Sequence, residues 1–168
     1  MPDDAPKSKL AATRAQGATI ITYDRLTGSR EAIGRQISAE TGAILVPPFD
    51  HPWIMAGAGT CALELMEQTP HLDALLVPLG GGGLLSGSAI AAKALNPAIR
   101  VFGVEPALAN DYWLSLKKGE PVEIASPPTI ADGLRTTKPG VNNFPVIQEL
   151  VEEVLLVSED EIKEAVKF

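Results

Sequence analysis

The stretch Gly80-Gly81-Gly82-Gly83-Leu84-Leu85-Ser86-Gly87 decides how this chain is expected to fold. The apolar run at residues 74–79 before it predicts a buried strand, and residues 84–95 predict a helix after it. Four consecutive glycines allow the backbone to turn sharply and several N–H groups to converge on one point. The start of a helix adds free N–H groups and the positive end of the helix dipole. The stretch therefore predicts an anion site, most often one for a phosphate.

The spacing of the glycines does not match two well-defined phosphate loops. No Gly-Lys-Ser/Thr follows, which excludes a Walker A loop. A dinucleotide-type G-x-G-x-x-G loop would need its third glycine at Leu85 or Ser86. Glycines also end strands and let helices pack closely, so a purely structural role stays open. Four in a row favour a ligand, because each glycine costs backbone entropy on folding.

Composition limits the classes of partner. The chain has 168 residues, of which 45% are apolar, so it can build a buried core. Its net charge of -7 argues against nucleic acid and anionic membrane surfaces as partners. No apolar run approaches the roughly 18 residues that span a bilayer, and the N-terminus lacks the apolar segment of a signal peptide. We therefore expect neither nucleic acid nor a membrane as a partner.

Cys61 is the only cysteine, so the chain cannot form an internal disulfide. A reducing cytoplasm is the location that this cysteine usage favours. Because Cys61 falls in an apolar helical pattern, we expect it to be a small core residue.

Strand and helix patterns alternate along the chain, and the strands are near-continuous apolar runs. This pattern predicts an α/β fold with a parallel sheet that is covered by helices on both faces. The proline-rich segment 47–52 is the predicted connector and hinge between two domains. The expected strands are 18–23, 43–46, 74–79, 100–104 and 153–157, and the expected helices are 7–16, 30–41, 57–68, 84–95, 110–118, 143–150 and one capped by Ser158 and Glu161.

A second constellation follows the strand at residues 100–104. Glu105, the carbonyl of Ala109 and Asp111 lie on one short loop and could hold a hard cation such as magnesium or calcium. Two other interpretations stay open for the acids. Glu105 could be solvated at a strand end while Asp111 occupies the first turn of a helix, or Glu105 could bind a ribose.

The chain resembles the fold-type II pyridoxal-phosphate enzymes, and within them the branch of serine racemase, threonine/serine dehydratase and hydroxyaspartate dehydratase. The glycine stretch, with Val77-Pro78-Leu79 before it, carries the resemblance most clearly. Four other segments follow in the order and spacing of that family: 1–9, Ala56-Gly57-Ala58-Gly59-Thr60, Gly103-Val104-Glu105-Pro106 and Thr129-Ile130-Ala131-Asp132-Gly133.

The resemblance implies a cofactor and a metal. Gly80, Gly81, Gly82, Gly83 and Leu84 would bind the phosphate of pyridoxal 5'-phosphate through backbone N–H groups, with Gly133 near the cofactor ring. Glu105, the Ala109 carbonyl and Asp111 match the divalent-cation site of the racemase-like branch, which would hold Mg²⁺, Ca²⁺ or Mn²⁺.

The sequence also departs from the family. It contains neither the Ser-Phe-Lys-x-Arg-Gly-Ala motif of the Schiff-base lysine nor the Ser-x-Gly-Asn-His and Ser-Gly-Gly-Asn segments. None of its eight lysines stands in such a context, and Lys93 is expected to face solvent. We therefore expect an internal fragment with an incomplete fold, no catalytic residue and no activity alone. Residues 1–52 would be the second half of the small domain plus connector, and residues 53–168 part of the large domain.

The resemblance implies that the intact enzyme deaminates a β-hydroxy amino acid to a keto acid and ammonia, or racemises serine. It also implies an amino-acid substrate, a homodimer and a cofactor that acts as electron sink. Two other classes stay open. One is a phosphate- or nucleotide-binding α/β module without chemistry, and the other is a truncated chain whose exposed sheet edges favour association.

Overall fold

The computed structural model describes residues 1–24 and 26–167 and divides into two compact units, Met1–Val46 and Pro47–Phe168. Within the described residues, none of the helices combines the length and hydropathy that crossing a bilayer requires. The first unit contains α1 (Lys7–Ala15) and α2 (Arg30–Thr41). The second contains, in chain order, α3 (Pro52–Gln68), β1 (Ala74–Pro78), α4 (Gly83–Leu95), β2 (Arg100–Pro106), α5 (Asp111–Lys118), a 3-10 turn (Asp132–Leu134), α6 (Asn143–Leu150), β3 (Glu153–Val157) and α7 (Glu159–Lys167).

The strands expected in the first unit are wrong. Residues 18–23 form only a single parallel bridge, between Pro2 and Tyr23, and residues 43–46 form no strand. Ile44 is 90% exposed. An apolar run predicts burial, but a strand also needs a neighbouring strand to complete its hydrogen bonds. No other described segment of this unit provides one to residues 43–46.

The second unit is built on a three-stranded parallel sheet in the order β1-β2-β3. Leu75 pairs with Val101, and Gly103 pairs with Val154. With helices between successive strands, this arrangement confirms the predicted α/β class. The core cluster includes Val77, Leu79, Leu85, Ala89, Ile99, Val101, Tyr112, Phe144, Ile147 and Val154.

Helix α3 starts five residues earlier than the sequence predicts, at Pro52 rather than at Gly57. His51 caps it, because its Nδ1 accepts a hydrogen bond from the Trp53 N–H at 3.1 Å. Pro52 takes the first helical position, where a missing N–H costs nothing. The prediction that Cys61 lies in the core is wrong, since this residue is exposed on α3.

Helices α3 and α4 pack closely because both carry glycine at their contact. A Cβ placed on Gly87 would lie 2.1 Å from the Met55 carbonyl oxygen. A Cβ on Gly59 would lie 2.8 Å from the Gly87 carbonyl oxygen. This close approach sets the position of α4, whose first residue belongs to the glycine stretch.

The connector at residues 47–52 is anchored inside the second unit. The Asp50 carboxylate accepts hydrogen bonds from the N–H groups of Val141 at 2.9 Å and Asn142 at 2.8 Å. The Phe49 carbonyl accepts one from Asn143 Nδ2 at 3.2 Å. The two compact units divide before this segment, after Val46. The assignment of residues 1–52 to a small domain stays a prediction.

Candidate functional site

The predicted site residues follow two neighbouring strands. Because β1 and β2 are parallel, their carboxyl ends meet at one edge of the sheet. The Leu79 N–H donates to the Val104 carbonyl at 2.8 Å, which joins the two ends. The glycine loop, residues 80–84, begins directly after this contact, and Glu105 follows Val104 on the other strand. The fold thus places the predicted anion site beside the predicted cation site.

The glycine loop has no room for a side chain at Gly81, Gly82 or Gly83. Gly82 has φ +94°, in the left-handed region that favours glycine, and a Cβ there would lie 2.1 Å from the Tyr112 hydroxyl. A Cβ on Gly81 would lie 2.2 Å from the Phe49 ring. One on Gly83 would lie 2.9 Å from the Phe49 carbonyl oxygen. These contacts explain in physical terms why glycines stand at these positions.

The backbone N–H groups of the loop lack acceptors among the described residues. In the part of the chain that the structure describes, no acceptor receives a hydrogen bond from the N–H groups of residues 80–84. The first such bond of α4 is donated by Ser86, to the Gly82 carbonyl at 2.9 Å. Five consecutive N–H groups at a helix start fit an anion such as a phosphate. The chemistry of the loop therefore fits the phosphate group of the cofactor that the sequence suggests.

Gly133 lies next to the glycine loop. It belongs to the 3-10 turn Asp132–Leu134. A Cβ built on Gly80 would lie 3.5 Å from the Gly133 carbonyl oxygen and 3.3 Å from the Leu134 Cα. The structure thus brings Gly133 together with the first residue of the loop, although 53 positions separate them in the sequence.

Two residues that the sequence does not single out hold the loop in place. Asn143 is fully buried, and its Nδ2 donates to the Gly81 carbonyl at 3.1 Å. Its Oδ1 accepts from Ser86 Oγ at 2.8 Å. The Tyr112 hydroxyl donates to the same Gly81 carbonyl at 3.0 Å. The sequence pattern around Tyr112 is that of an ordinary core residue in a helix, and Asn143 stands at a predicted helix start. No local signal therefore reveals the role of either residue.

The two acidic residues of the second constellation are buried together. Glu105 and Asp111 are each 0% exposed, so the interpretation of Glu105 as a solvated residue is wrong. Glu105 accepts the N–H groups of Tyr112 and Trp113, each at 3.0 Å. Both of its oxygens therefore take part in capping α5, and each keeps a lone pair for a further ligand. The ribose interpretation stays a prediction.

Asp111 carries an oxygen that lacks a partner. Its Oδ1 accepts from Thr136 Oγ1 at 3.4 Å, whereas its buried Oδ2 has no hydrogen-bond partner among the described residues. Burial raises the pKa of Asp111 to about 6. Burial also raises the pKa of Glu105 to about 8, and repulsion from Asp111 adds to the effect. Such a pair is relieved by a cation that takes oxygen ligands.

The described residues contain no group of three His, Cys, Asp or Glu side chains that could hold a metal ion. A cation at this place would bind to Glu105 and Asp111, with backbone carbonyls and water completing its shell. Ala109 is nearly fully buried on the loop between the two acids. No described donor reaches its carbonyl, so this oxygen fits the predicted third ligand.

Comparison with known proteins matches this chain to one family of enzymes. The sequence profile of the family described as "Pyridoxal-phosphate dependent enzyme" matches residues 1–168. The chain is 52% identical over 168 residues to an L-threo-3-hydroxyaspartate ammonia-lyase of Saccharomyces cerevisiae, covering 100% of this chain and 52% of the relative. It is 48% identical over 168 residues to a serine racemase of Schizosaccharomyces pombe, again covering 100% and 52%.

A solved structure of maize serine racemase superposes with a TM-score of 0.94 at 42% identity, covering 99% of this chain and 50% of that one. The chain thus spans about half the length of the curated relatives it matches.

Proposed function

Because the chain belongs to the pyridoxal-phosphate dependent enzyme family, we propose that its glycine loop binds the phosphate of pyridoxal 5'-phosphate. The observation that carries this proposal is the run of N–H groups in residues 80–84 that no described acceptor uses. These groups lie where α4 begins, so the positive end of its dipole adds to the attraction for the phosphate. Gly133, which lies against Gly80, would border the same ligand.

We propose that the whole protein acts on a β-hydroxy amino acid, either removing ammonia to leave a keto acid or racemising serine. Relatives of both kinds, at 52% and 48% identity, support this substrate class. When bound, pyridoxal phosphate supplies an electron sink for the negative charge that develops at Cα. The residues of this chain bind and orient the phosphate end of that cofactor. The amino-acid substrate, a homodimeric assembly and a cytoplasmic location are proposals that rest on the family.

We propose that this chain does not turn over amino acids by itself, because none of its eight lysines stands in the sequence motif of the Schiff-base lysine. The nearest candidate in sequence is Lys93, on α4. Lys93 lies ten residues after Gly83, which is about 15 Å along the helix. Its ammonium donates to the Pro97 carbonyl at 3.4 Å, beyond the far end of α4. It therefore points away from the glycine loop.

We also propose that Glu105, Asp111 and the Ala109 carbonyl hold Mg²⁺, Ca²⁺ or Mn²⁺. The support is the buried, unpartnered Asp111 Oδ2 beside a second buried carboxylate. A divalent cation would supply the missing partner and offset the repulsion between the two acids. The ion has a structural task here, since it would fix the loop between β2 and α5 beside the glycine loop.

The experiment that tests the function is a titration of the purified chain with pyridoxal phosphate, followed by absorbance and then by borohydride treatment with peptide mapping. We expect saturable binding that reverses on dialysis, with no single lysine fixed by borohydride. Fixation of one lysine, together with keto-acid release from serine, threonine or hydroxyaspartate, would contradict the proposed inactivity. Binding of inorganic phosphate without any preference for pyridoxal phosphate would favour a simple phosphate-binding module instead.

A further inference from the structure

The Gly81 carbonyl is held by two donors that come from different helices. The Tyr112 hydroxyl on α5 lies 3.0 Å from this oxygen, and Asn143 Nδ2 on α6 lies 3.1 Å from it. Both donor residues are fully buried, whereas Gly81 is partly exposed, so the two hydrogen bonds are part-buried. A carbonyl with both lone pairs engaged by buried donors cannot easily rotate.

The position of this carbonyl determines where an N–H group of the loop points. The Gly81 carbonyl and the Gly82 N–H belong to one peptide unit, which is planar and trans. In such a unit the two groups point in opposite directions. Two donors on the carbonyl therefore direct the Gly82 N–H to the other side of the loop, away from α5 and α6. Among the described residues, nothing accepts a hydrogen bond from it there.

Tyr112 also contacts the acidic pair through its backbone. Its N–H donates to Glu105 Oε1 at 3.0 Å, while its hydroxyl binds the glycine loop. The ring between these two groups is fully buried and packs against Phe144 with ring centroids 6.4 Å apart. A side chain that is fixed at both ends and packed along its length transmits a change at one end to the other.

We propose that Tyr112 is a positioning residue that couples the acidic pair to the glycine loop: a divalent cation on Glu105 and Asp111 fixes the first turn of α5, and Tyr112 thereby fixes the Gly81–Gly82 peptide for phosphate binding. This inference rests on the proposed function of both sites. Because coupling between two ligands is reciprocal, bound phosphate must tighten cation binding by the same factor.

The test compares the wild-type chain with Tyr112→Phe, which removes only the hydroxyl. The chain's other tyrosine offers a matched control, Tyr23→Phe, in the first unit. Dissociation constants for pyridoxal phosphate are measured by calorimetry with and without saturating MgCl₂, and those for Mg²⁺ alone separately. We expect Mg²⁺ to tighten cofactor binding in the wild type and in Tyr23→Phe. In Tyr112→Phe, we expect cofactor binding to weaken by up to about tenfold, as for one lost hydrogen bond, and the Mg²⁺ effect to disappear.

A merely structural tyrosine would give a different result. In that case Tyr112→Phe would lower affinity equally with and without Mg²⁺, which overturns the coupling. Unchanged affinity overturns the positioning role as well. If the wild type binds no pyridoxal phosphate, the proposed function fails independently of Tyr112.

An NMR measurement tests the coupling on the folded chain without the cofactor. The Gly82 amide resonance should shift on addition of MgCl₂ in the wild type and stay in place in Tyr112→Phe. Equal shifts in the two proteins would overturn the proposal, even if the variant proved less stable.

Discussion

At the scale of single residues, Gly82 carries the strongest constraint in the site. Its φ of +94° suits glycine, and the Tyr112 hydroxyl occupies the space of a Cβ. The sequence predicts that the glycines bind a ligand, since four in a row are hard to explain otherwise. It does not predict Tyr112 or Asn143, because they contact the loop from 31 and 62 positions away. Only the tertiary fold brings these donors to the Gly81 carbonyl.

We predict that Gly82→Ala destabilises the chain by about 2–4 kcal/mol and abolishes phosphate binding, because left-handed strain and a steric overlap add together. Gly119→Ala is the matched control. Gly119 has φ +81° but open space around its Cβ position, so only about 1 kcal/mol of strain is expected. Thermal unfolding and phosphate titration measure both effects. Equal losses of stability in the two variants would show that the overlap with Tyr112 is not real.

For Asp111→Asn, we predict higher stability without a cation and loss of the stabilisation by Mg²⁺. Without a cation the variant should be more stable than the wild type near neutral pH, because a buried charge without a full set of partners is removed. With MgCl₂ it should show no further stabilisation, since a cation ligand is lost. Thermal shift measurements with and without Mg²⁺ check both, with the exposed Glu64→Gln as control. Wild-type-like stabilisation by Mg²⁺ in Asp111→Asn would rule out this cation site.

At the scale of elements, local signals predict helices better than strands. The predicted capping box of α7 is confirmed: Ser158 N–H and Oγ both donate to Glu161 Oε2 at 2.7 Å, and Glu161 N–H donates to Ser158 Oγ at 3.3 Å. Caps that come from distant residues give no such signal. Glu105 caps α5, whose own N-cap residue Asn110 makes no capping hydrogen bond with its side chain.

Asp50 anchors the segment before α6 from 91 and 92 positions away. We predict that Asp50→Ala lowers the stability of the chain by about 1–2 kcal/mol, because two N–H groups lose a charged acceptor. Since Asn143 lies just after these groups, phosphate binding should weaken too. Chemical denaturation gives the stability change, and Asp160→Ala, an exposed acid on α7, is the control. If both variants unfold at the same denaturant concentration, the hydrogen bonds of Asp50 contribute no measurable stability.

At the scale of the whole molecule, the fold class follows from the alternating pattern, while the first unit departs from it. The parallel sheet of β1, β2 and β3 forms where apolar runs have partners, whereas residues 43–46 are also apolar and stay exposed. Composition predicts burial, but pairing depends on which segments the chain brings together. The glycine loop and the acidic residues can be predicted, because each group lies within one short stretch of sequence. The residues that support them come from distant positions, and only the fold brings them together.

The buried acids should make stability depend on pH. Their pKa values are raised, from 4.5 to about 8 for Glu105 and from 3.8 to about 6 for Asp111, so the folded state binds more protons than the unfolded state. Their contribution to stability is fully present below about pH 4 and is lost as pH rises through about 6 and then about 8. We predict that the cation-free chain loses unfolding free energy between about pH 5 and 8.

Mg²⁺ should reverse this trend, because it binds the ionised carboxylates and therefore stabilises more as pH rises. Thermal unfolding from pH 5 to 8, with MgCl₂ and with a chelator, measures the difference. A cation-free chain whose stability rises across this range would contradict the burial of the two acids.

The most direct test of phosphate binding by the glycine loop is ³¹P NMR of pyridoxal phosphate titrated with the wild-type chain and with Gly82→Ala. We predict that the phosphate resonance shifts and saturates with the wild type and stays at its free position with the variant. A resonance that does not move with the folded wild-type chain, or that moves equally with Gly82→Ala, would contradict phosphate binding by the glycine loop.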